Sequence, residues 1–115
     1  MPSYDKVHAL AKELKDSEEY REYCQARDLA FENEMNRSLY KEQKKISMAI
    51  NAAYMAGQEP SEELKKQYQN LIEVLALNEE VTKFMMAEHK LNQMMGDIFN
   101  ILAEAIDLKL DFLKD

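Results

Sequence analysis

Glycine and proline are nearly absent, with two of each in 115 residues. So few turn formers exclude an all-β fold and a Gly-rich phosphate loop, since both depend on repeated tight turns. A single cysteine, Cys24, leaves no intramolecular disulfide and none of the paired spacings of zinc sites, which suits a reducing compartment. No run of eighteen apolar residues occurs, so no membrane span is expected. The first residues carry no positive stretch ahead of an apolar run, so no secretory signal is expected either. Basic charge is short as well: 15 Lys and Arg against 22 Asp and Glu give a net charge of −7. A chain of that sign opposes a phosphate backbone, so direct nucleic-acid binding is disfavoured. Even the densest basic cluster, "KEQKK" at Lys41 to Lys45, is interrupted by a glutamate and reads as a solvated helix face. Together these absences point to a cytoplasmic protein with one domain over residues 1–115.

What the chain has is helical periodicity. Tyr4, Val7, Ala11 and Leu14 recur at the spacing of one buried stripe on a short helix. "KDSEEY" interrupts it, with Asp16 or Ser17 as a cap and Glu18 and Glu19 suited to the positive end of the next helix dipole. That helix places Tyr20, Cys24, Arg27 and Phe31 on one face and reaches Asn33, which reads as a further cap or as a kink. The pattern resumes with Met35, Leu39, Gln43, Ile46, Ile50 and Ala53, a stripe whose one amide, Gln43, needs partners wherever it is buried. "AGQEPSEEL" ends it: Gly57 suits a left-handed terminator, Pro60 cannot continue a helix, and Ser61 caps the next one. Leu64, Tyr68, Leu71 and Leu75 make the return stripe of an antiparallel helical hairpin. Asn78 then caps a last helix, expected to exceed thirty residues and to run almost to the C-terminus. The fold class is therefore all-α, a helical hairpin or bundle with a long C-terminal helix.

Half of the chain's eight methionines lie between Phe84 and Phe99, within that last helix. At 100° per residue, Phe84, Leu91, Met95, Ile98 and Leu102 share a line that faces a core. A second line of Met94, Ile101, Ala105, Leu108 and Phe112 lies beside it, so the apolar arc is wider than one neighbouring helix covers. Several helices of the same chain, or a second subunit, must cover it; the length of the helix favours a dimer. The candidate subunit or partner interface is thus Met94, Met95, Ile98, Ile101, Ala105, Leu108 and Phe112. Methionine suits such a place because its unbranched thioether fills irregular gaps. Met86 points away from both lines and is expected to be exposed, and Gly96 inside the helix marks close approach of another backbone.

Metal and catalytic constellations are missing from the pattern. A ferritin-like di-iron site needs two Glu-x-x-His pairs on separate helices, and the chain has none. Asp5 and His8 show that spacing once, but His8 borders an apolar stripe and reads as a hydrogen-bonded structural histidine; His89 falls on a polar face. Cys24 lies near no basic cluster beyond Arg27 and reads as an inert, buried thiol. No cofactor, metal or catalytic residue is expected.

The order of these elements, from "YDKVHALAKELKDSEEYREY" through Asn33, Leu39 and Gln43 to "LNEEVTKFMMAEHKLNQMMGDI", resembles the YlbF/YmcA family of small bacterial helical proteins. Ser17 to Tyr20, Gln43, Asn78, Val81, Phe84, Ala87, Glu88 and Leu91 carry the resemblance most closely. Asn33 stands where the family often has Asp, and Leu39 where it often has Phe. The resemblance implies a self-associating, non-enzymatic regulatory protein that enters heteromeric complexes and modulates an endoribonuclease and messenger-RNA maturation. Some members carry iron–sulfur clusters, but the Cys-rich C-terminal tail seen in those members is missing from this chain.

Overall fold

A computed structural model describes residues 4–107. Five helices follow one another: α1 (Tyr4–Lys15), α2 (Glu18–Phe31), α3 (Glu34–Met55), α4 (Glu62–Ala76) and α5 (Glu79–Ala105). No strand occurs among the described residues.

Four of the five start on the local chemistry expected of them. Ser17 accepts from the Tyr20 N–H at 3.2 Å and donates back to the Leu14 carbonyl at 2.6 Å, so one hydroxyl ends α1 and begins α2. Asn33 accepts from the N–H groups of Met35 and Asn36, Ser61 from that of Leu64, and Asn78 from that of Val81. Gly57 adopts φ +75, and the Gln58 N–H bonds to the Ala53 carbonyl while the Gly57 N–H bonds to that of Tyr54, both at 2.9 Å. This paired closure satisfies carbonyls that the end of α3 leaves free and turns the chain back into α4.

Asn33 is a full break rather than a kink. Its backbone is extended, and the Phe31 and Tyr40 rings lie with centroids 5.5 Å apart. Nine residues along one straight helix would separate them by about 13 Å.

The last helix is shorter than expected. It has 27 residues, about 40 Å at 1.5 Å per residue, and ends at Ala105. Asp107 then takes φ 51, a left-handed conformation that Asp tolerates better than most side chains. Leu108 and Phe112 of the expected interface lie outside the described residues.

The helices pack chiefly as two pairs, α2 along α5 and α3 against α4, with α3 and α4 also touching α5. Between them lie Ile46, Leu71, Leu75 and Val81, buried together and flanked by Leu39, Ile50, Leu64 and Met85. Beside this cluster Phe84, 2% exposed, is ringed by Tyr23, Phe31 and Tyr40 at centroid distances of 5.0–5.4 Å. Several stripe residues are not covered: Tyr4, Val7 and Met35 are exposed. Each sits on a face that meets no other helix among the described residues, where α1 packs on α2 alone and Met35 turns outward in the first turn of α3.

Candidate interaction surface

The described chain is a sheet-like layer of helices, 51 × 40 × 16 Å, with a radius of gyration of 18.0 Å. A compact domain of this length would have a radius near ~13 Å. The shape is elongated and flat, and many large apolar side chains of the described residues are exposed. The accessible surface of 9498 Å² exceeds the roughly 6500 Å² expected of a compact 13.5 kDa monomer.

The exposure is concentrated on identifiable faces. Along α5 the core line is covered only at its N-terminal end, where α2 and α3 meet it. α2 runs antiparallel, its first turn reaching Met94 and Asp97 and its last turn reaching Lys83. Toward the C-terminus the cover thins: Ile98 is half-buried, while Met95 and Leu102 are exposed, as are Phe99, Ile101 and Ile106. The expected core role of Met95 and Leu102 is therefore corrected: Met95 turns away from the side of α5 that α2 reaches at Met94 and Asp97, Leu102 lies beyond α2, and α1 does not pack on α5 among the described residues. Of the expected interface residues, Met94 and Ile98 are half-buried, Met94 against α2, while Met95, Ile101 and Ala105 are exposed. Phe99 and Ile106 belong with them; reading two lines rather than the whole arc missed them.

A second apolar groove, about 460 Å³, runs between α4 and α5 and is lined by Ile72, Leu75, Met85, Met86 and His89. Met86 is exposed as expected and also borders a cleft against Ala26 and Leu29 of α2. His8 is exposed rather than structural, and Cys24 is half-buried. A methyl group added at Gly96 would meet nothing within 4 Å among the described residues, so no backbone there approaches it.

Two polar clusters tie the layer together. Asn36, 3% exposed, donates to the Ala30 carbonyl at 2.9 Å and to Glu80 at 3.1 Å, and accepts from Asn78 Nδ2 at 2.7 Å. One side chain thus joins the end of α2 to the starts of α3 and α5. Further along α3, the Tyr40 hydroxyl donates to Glu88 of α5, whose other oxygen lies 3.7 Å from Lys44 Nζ. Desolvation, then the hydrogen bond and charge of Glu88, hold the Tyr40 hydroxyl well above its ordinary pKa. Gln43 donates to Ser47 Oγ at 2.8 Å, which supplies the partner its half-buried amide needs.

Neither cluster has the form of a reactive centre. Tyr40 is held protonated, the reverse of what a base requires, and Asn36 has every bond satisfied. Among the described residues no three His, Cys, Asp or Glu side chains gather to hold a metal ion, and no helix is long and apolar enough to cross a membrane.

Residues 3–107 match the family described as control of competence regulator ComK, YlbF/YmcA. The chain belongs to the YlbF/YmcA family. A UPF0342 protein of Symbiobacterium thermophilum is 31% identical over 96% of this chain and 99% of its own length. One of Halothermothrix orenii is 30% identical over 94% and 92%. A solved structure, a protein of unknown function (DUF964) from Bacillus stearothermophilus, superposes with a TM-score of 0.67 at 18% identity over 89% of this chain and 93% of that one. That likeness bears on the helical fold alone. The family is a regulatory one, linked by its description to the control of competence.

Proposed function

We propose that this YlbF/YmcA-family chain is a non-enzymatic regulatory adaptor of the cytoplasm, with a homodimer as its unit and protein surfaces as its means of action. Family membership over residues 3–107 is the observation that carries the reading. Uncovered apolar residues on α5 and between α4 and α5 support it, because faces of this size on a small chain mark sites of protein contact. The dimer is the closing unit, and a heteromeric complex that modulates an endoribonuclease and messenger-RNA maturation is its target.

Gentle affinity purification from the native bacterium, followed by mass spectrometry, tests the adaptor. The expected result is a defined set of partners, nuclease components among them, lost when Ile101→Asp is introduced into a chain that stays helical. Recovery of the tagged chain alone, from both forms, would refute it. The α4–α5 groove favours one second reading, a homo-oligomeric scaffold that holds a small apolar ligand. Native mass spectrometry of the purified protein separates the two, since a bound ligand adds a discrete mass and an adaptor adds none.

A further inference from the structure

We propose that Met95 is an oxidation-sensitive position in the open apolar line of α5, so that its conversion to the sulfoxide releases a second copy of the chain. The proposal rests on the reading that the chain self-associates through this face, and adds to it a means of regulation.

Five methionines of the described residues are exposed: Met35, Met48 and Met55 on α3, and Met86 and Met95 on α5. Met85 and Met94 are half-buried. Met95, Phe99, Leu102 and Ile106 follow one another at intervals of four, three and four residues, so they share one line of the helix, and all four are exposed. Asp97 and Glu104 fall on the opposite side of α5, which leaves the line free of charge. Met86 stands nine residues before Met95, two and a half turns at 3.6 residues per turn, and so faces away from the line into the groove between α4 and α5.

Chemistry singles out Met95. The hydrocarbon side chains of Phe99, Leu102 and Ile106 are inert to hydrogen peroxide, whereas a thioether is not. A sulfur lone pair attacks one peroxide oxygen, the O–O bond breaks as the S–O bond forms, and proton transfer to the departing oxygen releases water. The sulfur is oxidised by two electrons and the peroxide reduced by two. The product is a sulfoxide, which methionine sulfoxide reductases return to the thioether. Its oxygen would be the only polar group on the line. Seated against an apolar partner, that oxygen loses its water without gaining a donor, and the cost falls on the associated form alone. Association in turn shields the sulfur, so peroxide reaches Met95 in the free chain and the oxidised chain is kept free.

Oxidation rates and light scattering test the switch, in a Cys24→Ser background that removes the one thiol. The untreated protein is measured first: a dimer mass is expected, and a monomer mass would overturn the self-association reading together with the proposal. Dilute and concentrated samples then receive the same hydrogen peroxide, and peptide mass spectrometry follows each methionine. Met95 should oxidise several-fold more slowly in the concentrated, dimeric sample, with Met55 at one rate in both. Equal rates at Met95 would overturn the proposal and leave the dimer standing. A dilution series reads the consequence. Full oxidation should weaken the dimer about tenfold, because one unsatisfied polar group is buried per contact. Met95→Leu should keep the oxidised chain dimeric, Met86→Leu should give no such protection, and Met95→Gln should weaken the dimer without any oxidant. A dimer that survives full oxidation, or one that weakens equally in Met95→Leu, would overturn the switch.

Discussion

Replacing Asn36 by Ala should cost more than any other single polar substitution among the described residues. The side chain makes three hydrogen bonds that bridge α2, α3 and α5. Each contributes about 0.5–1.5 kcal/mol net, and stranding Asn78 Nδ2 in a partly buried place adds to the loss, so about 3 kcal/mol is expected. For a domain of this size that lowers Tm by ~12 °C or more. Urea unfolding followed by far-UV circular dichroism, at one fixed protein concentration, measures it, with the exposed Asn51→Ala of α3 as control. The sign of the effect can be checked with Asn36→Asp. Burial and the nearby Glu80 carboxylate would raise the pKa of the new carboxyl in the folded state. Its cost should therefore be smallest at low pH and grow as pH rises toward that raised value. A loss below about 1 kcal/mol for Asn36→Ala, or one equal to that of Asn51→Ala, would refute the bridging role.

Three further substitutions bear on separate parts of the layer. Tyr40→Phe keeps the ring and removes the hydroxyl bonded to Glu88, so a loss of about 1.5–2 kcal/mol is expected near neutral pH by urea titration. Because the Tyr40 pKa is raised on folding, its contribution is whole below pH ~10 and lost as pH rises above that, where the unfolded chain ionises first. The variant should accordingly show a shallower fall in stability on the alkaline side. Phe84→Ala empties the centre of the Tyr23, Phe31 and Tyr40 ring cluster and should cost about 3–5 kcal/mol, read from the same titration. Gly96→Ala should stabilise the chain by about 1 kcal/mol, since helix propensity favours Ala and nothing among the described residues lies in the way; destabilisation would place another backbone there.

The α3–α4 hairpin was legible because its chemistry is local. Gly57, Pro60 and Ser61 specify a terminator, a stop and a cap without reference to the rest of the fold. The caps at Ser17, Asn33 and Asn78 were legible for the same reason. The end of α5 was not, because Ile106 and Asp107 are neither Gly nor Pro and nothing local announces a left-handed residue there. Periodicity found the apolar faces of α1 and α5 but not their cover: Val7 and Leu102 lie on stripes that are open in one chain. Asn36 was passed over although a signal existed. Asn36, Tyr40, Gln43 and Ser47 follow helical spacing and make a polar line on α3, and each bonds to another side chain of that line or of α5. What their partners would be depended on α5 crossing α3 at Glu80 and Glu88, a tertiary fact that spacing along one helix does not contain.

The central claim is that a second copy completes the layer, which is thin and open on the face of α5 past Asp97. Multi-angle light scattering of the purified chain at tens of micromolar tests that most directly. The expected mass is about 27 kDa, twice the 13.5 kDa of one chain, falling toward the single-chain value when Ile101 or Leu102 is replaced by Asp. A mass of one chain for the unaltered protein across that range would contradict it.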